Sequence, residues 1–408
     1  MTSPVPLRRN RDFVLLQTGQ LLSSAGSQAT SIAYPLLVLA LTHSAVRAGV
    51  VAFARALPLA LLAIPAGLAA DRWNRKAVMI GADAVRVAAM GSLVLSLVLH
   101  HTPYWMIVLV AFVEGSGSAL FNAAQPGALR ATVPPEQLPE ALGAQTGRQA
   151  AVMMAGPALG GGLFEVARAL PFLADVVSYA FSTLSLLFMR TPFQEERTRE
   201  VGSLASKARE GMAFVWREPF IRASAFLYGM LNFTAPGLLF CIVVIGREQG
   251  LSGGAVGGLV AGFAVCILLG SFMTSRVRRL LPVRGVLLLE IWAWLGCAVF
   301  LVWPSVYVLA AGLVPVGLVV ASTDSVVHGY RLAVTPDRLL GRSESVRSAI
   351  ALLLGSLAPL VAGLLLSEAT PRWTIAFFAL GAAGLVIWGM RNEAIRMAPD
   401  LQDVARLP

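Results

Sequence analysis

Charge is what this sequence has least of. Only 13% of its 408 residues are charged, and lysine occurs twice, as Lys76 and Lys207. A soluble domain carries roughly 25% charge. A soluble chain with 57% hydrophobic residues and a mean hydropathy of +0.73 would expose apolar patches large enough to aggregate. Cysteine is scarce too. Cys241, Cys266 and Cys297 all fall inside apolar stretches, which gives neither a disulfide framework nor metal-ligand spacing. The four histidines, His43, His100, His101 and His328, are scattered, and the chain has no H-E-x-x-H pair, G-x-S-x-G elbow or P-loop. Those absences argue against an intramembrane hydrolase and against ATP hydrolysis as the energy source. No cofactor or metal is expected. Nucleic acid is not an expected partner, because the net charge of +10 sits in short segments between apolar runs and reads as an orientation signal.

What is present is a succession of apolar runs of ~20 residues, each long enough to cross a ~30 Å hydrocarbon core. Helices are predicted near 13–42, 45–70, 77–100, 103–126, 139–165 and 169–190, then near 221–246, 253–274, 284–303, 305–330, 342–367 and 372–392. The run behind "MTSPVPLRRNRD" is studded with Gln and Ser and reads as a retained first helix, not a cleavable signal. The fold class is therefore an all-α membrane protein with twelve transmembrane helices. The expected organisation is a six-helix bundle at 1–190, a cytoplasmic linker at 191–220, a second six-helix bundle at 221–392 and a cytoplasmic tail at 393–408. Leu204, Ala208, Met212 and Val215 stand at helical spacing, so the linker is expected to carry an amphipathic helix on the inner membrane surface.

Alternating the loops between two sides separates the bases sharply. One side receives Arg8, Arg9, Arg11, Arg72, Arg75, Lys76, Arg130, the linker bases, Arg276, Arg278, Arg279, Arg284, Arg331, Arg338, Arg342, Arg347, Arg391, Arg396 and Arg406. The other receives Arg47, Arg168, Arg247 and Arg372. The positive-inside rule puts both termini in the cytoplasm of a bacterial plasma membrane. Arg55, Arg86 and Arg148 fall within helices and are not counted.

The halves repeat. "RATVPPEQL" at 130–138 and "RLAVTPDRL" at 331–339 align at one constant offset, with Arg130 and Arg331, Pro135 and Pro336, and Leu138 and Leu339 coinciding. Each copy lies between the fourth and fifth helix of its half. Duplicated halves are an architecture of secondary transporters, with substrate held near the midplane.

Twelve helices, a basic central linker and G-x-x-x-D-R-x-N-R-K over Gly67, Asp71, Arg72, Arg75 and Lys76 resemble the major facilitator superfamily. Asn74 replaces the usual glycine of that loop, as a residue that tolerates left-handed backbone. A second family motif, G-P-x-x-G-G on helix five, is present as Gly156, Pro157, Gly160 and Gly161, with Val152 where an upstream glycine is usual. On helix four, Ala111 and Glu114-Gly115 stand where drug exporters carry a buried arginine followed by Q-G. "DAVR" on helix three, "EGMAFVWREP" in the linker and "PDRLLGR" before helix eleven are most similar to the drug/proton antiporter branch that includes enterobactin exporters and macrolide efflux pumps. The resemblance implies that Asp71 meets the N-terminal end of helix eleven, near Gly341 to Ser343, where a carboxylate complements the helix dipole and the unpaired N–H groups. A local ion pair of Asp71 with Arg75 or Arg130 is the plainer alternative.

Polar side chains facing lipid are costly, so recurrent ones mark faces turned to protein or water. Gln17, Gln20, Ser24, Ser27 and Ser31 share a face of helix one. Glu114, Ser118, Asn122 and Gln125 do so on helix four, Ser224, Tyr228 and Asn232 on helix seven, and Asp324, His328 and Arg331 on helix ten. Helix six has a comparable stripe at Asp175, Tyr179, Ser182 and Ser185. Interhelical hydrogen bonding explains any one stripe as well as a substrate cavity does. The cavity candidates are Gln17, Gln20, Ser24, Arg55, Asn122, Tyr228, Asn232 and His328. Glu114 is the first candidate to carry a coupling proton, with Arg55 on helix two as its cationic partner, and Asp324 is the second. Asp83 and Arg86 read as a structural pair. The expected function is proton-coupled efflux of a small amphipathic organic molecule by a monomer embedded in the bilayer. An importer or a lysophospholipid flippase of the same fold is the alternative, and an intramembrane enzyme is the alternative of another class.

Overall fold

The computed structural model describes residues 6–193 and 204–397. Sixteen helices in chain order include α1 (Arg11–Thr42), α2 (Ala45–Leu61), α3 (Ala63–Arg72), α4 (Arg75–Val98), α5 (Tyr104–Thr132), α6 (Leu138–Val166) and α7 (Leu170–Phe188). They continue with α8 (Leu204–Arg217), α9 (Pro219–Glu248), α10 (Gly253–Leu280), α11 (Val283–Ala293), α12 (Val299–Val302), α13 (Val306–Val334), α14 (Asp337–Glu368), α15 (Pro371–Arg391) and the short α16 (Glu393–Arg396). The described residues contain no strand. Twelve long segments result when α2 with α3, and α11 with α12, each count as one. Nine of the described helical segments are long and apolar enough to cross a membrane, and the bent pair α2–α3 makes ten. The two that fall short are α1 and α6.

Sequence sets the ends of these helices. Asn10, Ser44 and Asn74 each accept a hydrogen bond from a backbone N–H of the following first turn, at 3.1, 3.3 and 3.2 Å, as N-cap residues do. Asn74 thus has extended backbone (φ −60°) and caps α4. The left-handed role expected for it is corrected; among the described residues, His43 and His100 are the non-glycine residues with positive φ.

Three expected boundaries change. The second span, read as one helix over 45–70, bends by 52° between Leu61 and Ala63. Pro65 has no N–H to give the carbonyl of Leu61, so the helix cannot run straight through. The ninth span, read as one helix over 284–303, tightens into a 3-10 turn at Trp294–Ala298. Helix eleven, α14, begins at Asp337 and not near Gly341 to Ser343, because Pro336 fixes φ and stands as its N-cap. Arg331, Arg342 and Arg347, counted above among loop bases, therefore lie within α13 and α14.

By internal contacts the chain divides into two units, Met1–Thr198 with Gly250–Ala261, and Arg199–Gln249 with Gly262–Pro408. The first turns of α10 thus count with the first unit, because Gly253 packs on Gly161 and Gly257 on Pro157. In the first unit α1 packs on α6 and α7, and α5 on α2 and α4. Phe13, Leu16, Met79, Phe121, Leu186 and Phe193 fill one end. In the second unit α14 packs on α9 and α8, and α11 on α13, around Phe220, Leu227, Val286, Ile291 and Tyr330.

The linker helix exists as α8, but the expectation that it lies on a membrane surface is incomplete. Val215 is fully buried and packs, with Phe214, against Val346 and Ile350 of α14. Glu210 forms an ion pair with Arg342. Met212 remains exposed. The side chains of Leu204 and Ala208, linker residues 194–203 and tail residues 398–408 lie outside the described residues.

Candidate functional site

The first unit holds an ion pair inside its apolar interior. Glu114, one of the buried residues of α5, has 0% side-chain exposure. Arg55 of α2 grips it bidentately, Nε to Oε2 at 2.5 Å and Nη2 to Oε1 at 3.3 Å, and also donates from Nη2 to the carbonyl of Ser27 at 2.9 Å. Tyr179 OH and Ser118 Oγ donate to Oε1 at 3.0 and 3.2 Å, and Tyr179 is joined to Ser27 Oγ at 2.8 Å. Gly115 makes this closeness possible. A side-chain carbon there would overlap the carbonyl oxygen of Arg55, so only glycine lets α5 and α2 meet at that level. Every oxygen of the carboxylate is satisfied, which is the condition under which a buried charge is tolerated. Arg55 itself keeps 22% exposure, so the pair has one sealed end and one open end.

Two more buried acids lie nearby. Asp175 of α7 receives Thr30 Oγ1 and Ser178 Oγ, both at 3.1 Å; among the described residues no cation is within ion-pair distance of it. Asp83 and Arg86 of α4 pair at 3.2 Å with almost no exposure, and the Arg86 guanidinium also lies over the rings of Tyr179 and Phe121, at 4.7 and 5.2 Å.

The basic turn after α3 has further work besides orientation. Arg75 is buried and donates to the carbonyls of Ala70 and Phe193, both at 3.3 Å. Lys76 Nζ donates to the carbonyl of Met189 at 2.7 Å, at the C-terminal end of α7, where a cation suits the helix dipole. Asp71 lies 3.7 Å from Arg75 with 60% of its side chain exposed. Arg72 is exposed, and Gly67 has open space where a side chain would stand.

Helix five of the sequence is α6. Gly160 presses on the backbone of Ala29 in α1, and Gly161 on that of Gly253 in α10. Gly156 lies against Gln28, and Pro157 is buried. Gln17 and Gln20 meet Arg148 of α6, and Gln125 of α5 joins them through Gln20. Ser24 is half-buried and Asn122 exposed, and neither makes a side-chain hydrogen bond among the described residues.

In the second unit Asp324 and His328 share an exposed face of α13, within electrostatic reach of Arg347 and Glu344 of α14. Glu344 is held by Arg347 at 2.7 Å, by Ser348 Oγ at 3.0 Å and by the buried Arg331. The Arg347 guanidinium stacks 3.8 Å from the ring of Tyr228, and Asn232 donates to the carbonyl of Tyr228 at 2.8 Å. A cavity of about 790 Å³ in this unit, lined among others by Glu248, Gln249, Arg372 and Trp373, contains none of the predicted site residues.

Sequence reasoning named Arg55 as a partner for Glu114. It passed over Arg148, Glu344 and the buried Glu290 of α11, and did not rank Asp175. Spacing could have flagged Arg148, an arginine inside an apolar helix. Glu344 and Arg347 fall inside the helix expected at 342–367, but Arg347 reads as one of the loop bases and Glu344 has no polar stripe to single it out.

Twelve long helical segments among the described residues, ten of them apolar enough to span a bilayer, with ion pairs and polar networks enclosed in two compact units, define a polytopic membrane protein. Residues 17–289 match the sequence model of the Major Facilitator Superfamily, and the chain belongs to that family. It is 26% identical over 405 residues to the multidrug efflux pump Tap of Mycobacterium bovis, covering 94% of this chain and 93% of that protein. It is 31% identical over 161 residues to macrolide efflux protein A of Enterococcus faecalis, covering 38% of this chain and 49% of that protein. The chain thus spans about half the length of the macrolide efflux relatives it matches. In fold it is similar to the nucleoside transporter NupG, with a TM-score of 0.73 at 13% identity over 93% of this chain and 99% of that one.

Proposed function

We propose that this transporter exports small amphipathic organic molecules, drug-like compounds among them, from bacterial cells in exchange for protons. It works by alternating access, as a monomer in the plasma membrane with both termini in the cytoplasm and with 1–190 and 221–392 as its two bundles. Full-length similarity to a protein named a multidrug efflux pump supports export, and the asymmetry of the bases supports the orientation. The importer and flippase readings of the same fold have no observation in their favour.

The Arg55–Glu114 pair is the observation that carries proton coupling. Ionised, Glu114 holds Arg55 by two hydrogen bonds. A proton on the carboxylate cancels the charge attraction and leaves the guanidinium, already part-exposed, to turn towards water or substrate. Such a unit has two discrete arrangements that a proton selects between, which is what a switch requires. Tyr179 and Ser118 can serve both forms, because a hydroxyl both donates and accepts.

The test is uptake into inside-out vesicles under an imposed pH gradient. Glu114→Gln mimics the protonated form. It should abolish gradient-driven accumulation while substrate binding persists. Accumulation equal to wild type would move the proton carrier elsewhere, with Asp324 the first alternative.

A further inference from the structure

Arg148 is a cation in a place that supplies no anion. Its Nη1 donates to Gln17 Oε1 at 2.8 Å and to Gln20 Oε1 at 2.6 Å. No carboxylate among the described residues pairs with it. Its Nε is buried without a hydrogen-bond partner, and so are the amide nitrogens of Gln17 and Gln20. Nη2 has no partner among the described residues either.

All the unmet groups are donors. Turning the amides over does not change this. A guanidinium only donates, so the atom facing Nη1 must be the oxygen of each glutamine, and Gln20 Oε1 also receives Gln125 Nε2 at 2.8 Å. The amide nitrogens are therefore fixed as donors with nothing to bind. On Arg148 the unused positions, Nε and Nη2, form one edge of the planar fork, the edge that meets two oxygens of an anion with parallel hydrogen bonds. Buried unsatisfied donors are rare and need an explanation.

We infer that Arg148, with Gln17 and Gln20, is a recognition site for a carboxylate on the transported molecule. One guanidinium charge balances a monoanion, whereas a phosphate monoester, at about −1.5 to −2, would remain under-compensated. The inference rests on the export reading for its ligand being a transported molecule, but the site can be tested apart from transport.

Rhodamine 110 and its methyl ester, rhodamine 123, differ by one methyl group that removes the carboxylate. Fluorescence anisotropy with the full chain in phosphatidylcholine nanodiscs gives the ratio of their affinities. The wild type should favour the acid by about tenfold or more, the size of a charge-assisted hydrogen bond. Arg148→Gln should bring the ratio near one. Arg148→Lys should keep part of the preference, since an ammonium supplies the charge without the fork. A wild-type ratio near one, or no binding of the acid, overturns the inference, as does an unchanged ratio in Arg148→Gln. Gradient-driven uptake of rhodamine 123 separates the two readings. Uptake with a ratio near one leaves export standing without this site; a clear preference without uptake of either dye leaves the site standing without export.

Discussion

The main ion pairs of the two units are held in opposite ways. In the first, Glu114 has no exposure and Arg55 has 22%, and glycine brings their helices into contact so that neither charge is short of a partner. In the second, Glu344 keeps 40% exposure while holding Arg331 and Arg347, and Asp324 and His328 stand exposed beside it. The repeat between the halves makes the difference instructive. Arg130 and Arg331 coincide in the duplicated turn, yet Arg130 is exposed and Arg331 is buried against Glu344. At the same offset Glu344 falls opposite Gly143. Duplication has kept the turn, and the halves have since placed their ionisable groups independently. A sealed pair keeps its charge attraction unscreened, whereas a wet cluster is screened by solvent.

Breaking the sealed pair should have the largest effect. Arg55→Ala leaves a buried carboxylate without its cation and should cost about 3–5 kcal/mol, read as a fall in the thermal unfolding temperature of the purified protein. Adding Glu114→Gln should recover much of that loss, because the second change removes the orphaned charge. An equal loss from Glu344→Gln in the second unit would abolish the distinction between the two regions.

Next in size is the packing that seals the first unit. Gly160→Ala drives a methyl group into the backbone of Ala29 and should cost about 1–3 kcal/mol. Gly162, two residues on, has nothing within 4 Å of where its side chain would stand. Gly162→Ala should be neutral or stabilising by up to about 1 kcal/mol. If the two variants unfold alike, α6 is not held as tightly against α1 as this contact implies.

Ten of the twelve long segments were legible because each is an apolar run longer than any soluble element needs, and α1 and α6 could be placed by their length and their position beside such runs. What was hidden depended on neighbours in space. Sequence spacing puts Gln17 and Gln20 on one face of α1, but not which face of α6 they meet, so Arg148 read as one arginine in a helix. Glu114 and Arg55 could be matched in advance because both stand deep in apolar runs with no local partner. The boundary at Asp337 was missed by reading residues 337–341 as loop, when Pro336 already marked a helix start. The 3-10 turn at Trp294–Ala298 has no local signal of its own, since those residues are as apolar as their neighbours.

A smaller effect is expected from Glu344→Gln. With 40% of its side chain in solvent, the pair is partly screened, so about 1 kcal/mol or less of stability should be lost. The measurement is the same thermal unfolding experiment, repeated in high salt, where the difference should shrink. A salt-independent loss would mean that Arg331, nearly buried, dominates, and that the second unit is sealed in its own way.

The smallest change in stability should come from Asp71→Asn. Its carboxylate is 60% exposed and 3.7 Å from Arg75, and Arg75 is already engaged by the carbonyls of Ala70 and Phe193. An exposed pair of this spacing contributes about 0.3–0.5 kcal/mol. If Asp71 did no more than this, transport would be unaffected. The gating role that the family resemblance gives it asks for a charge–dipole interaction of about 0.3–2 kcal/mol formed in one access state and lost in the other. Only a difference between states can shift their populations, and one of this size shifts them by less than twofold up to more than tenfold. The expected result is therefore a separation: unfolding within about 0.5 kcal/mol of wild type, with gradient-driven uptake clearly reduced in the same preparation. Full uptake by Asp71→Asn would reduce this residue to a surface ion pair and leave the turn's function with Lys76, which caps the end of α7 at Met189, and Arg75, which holds the carbonyl of Phe193 beyond it.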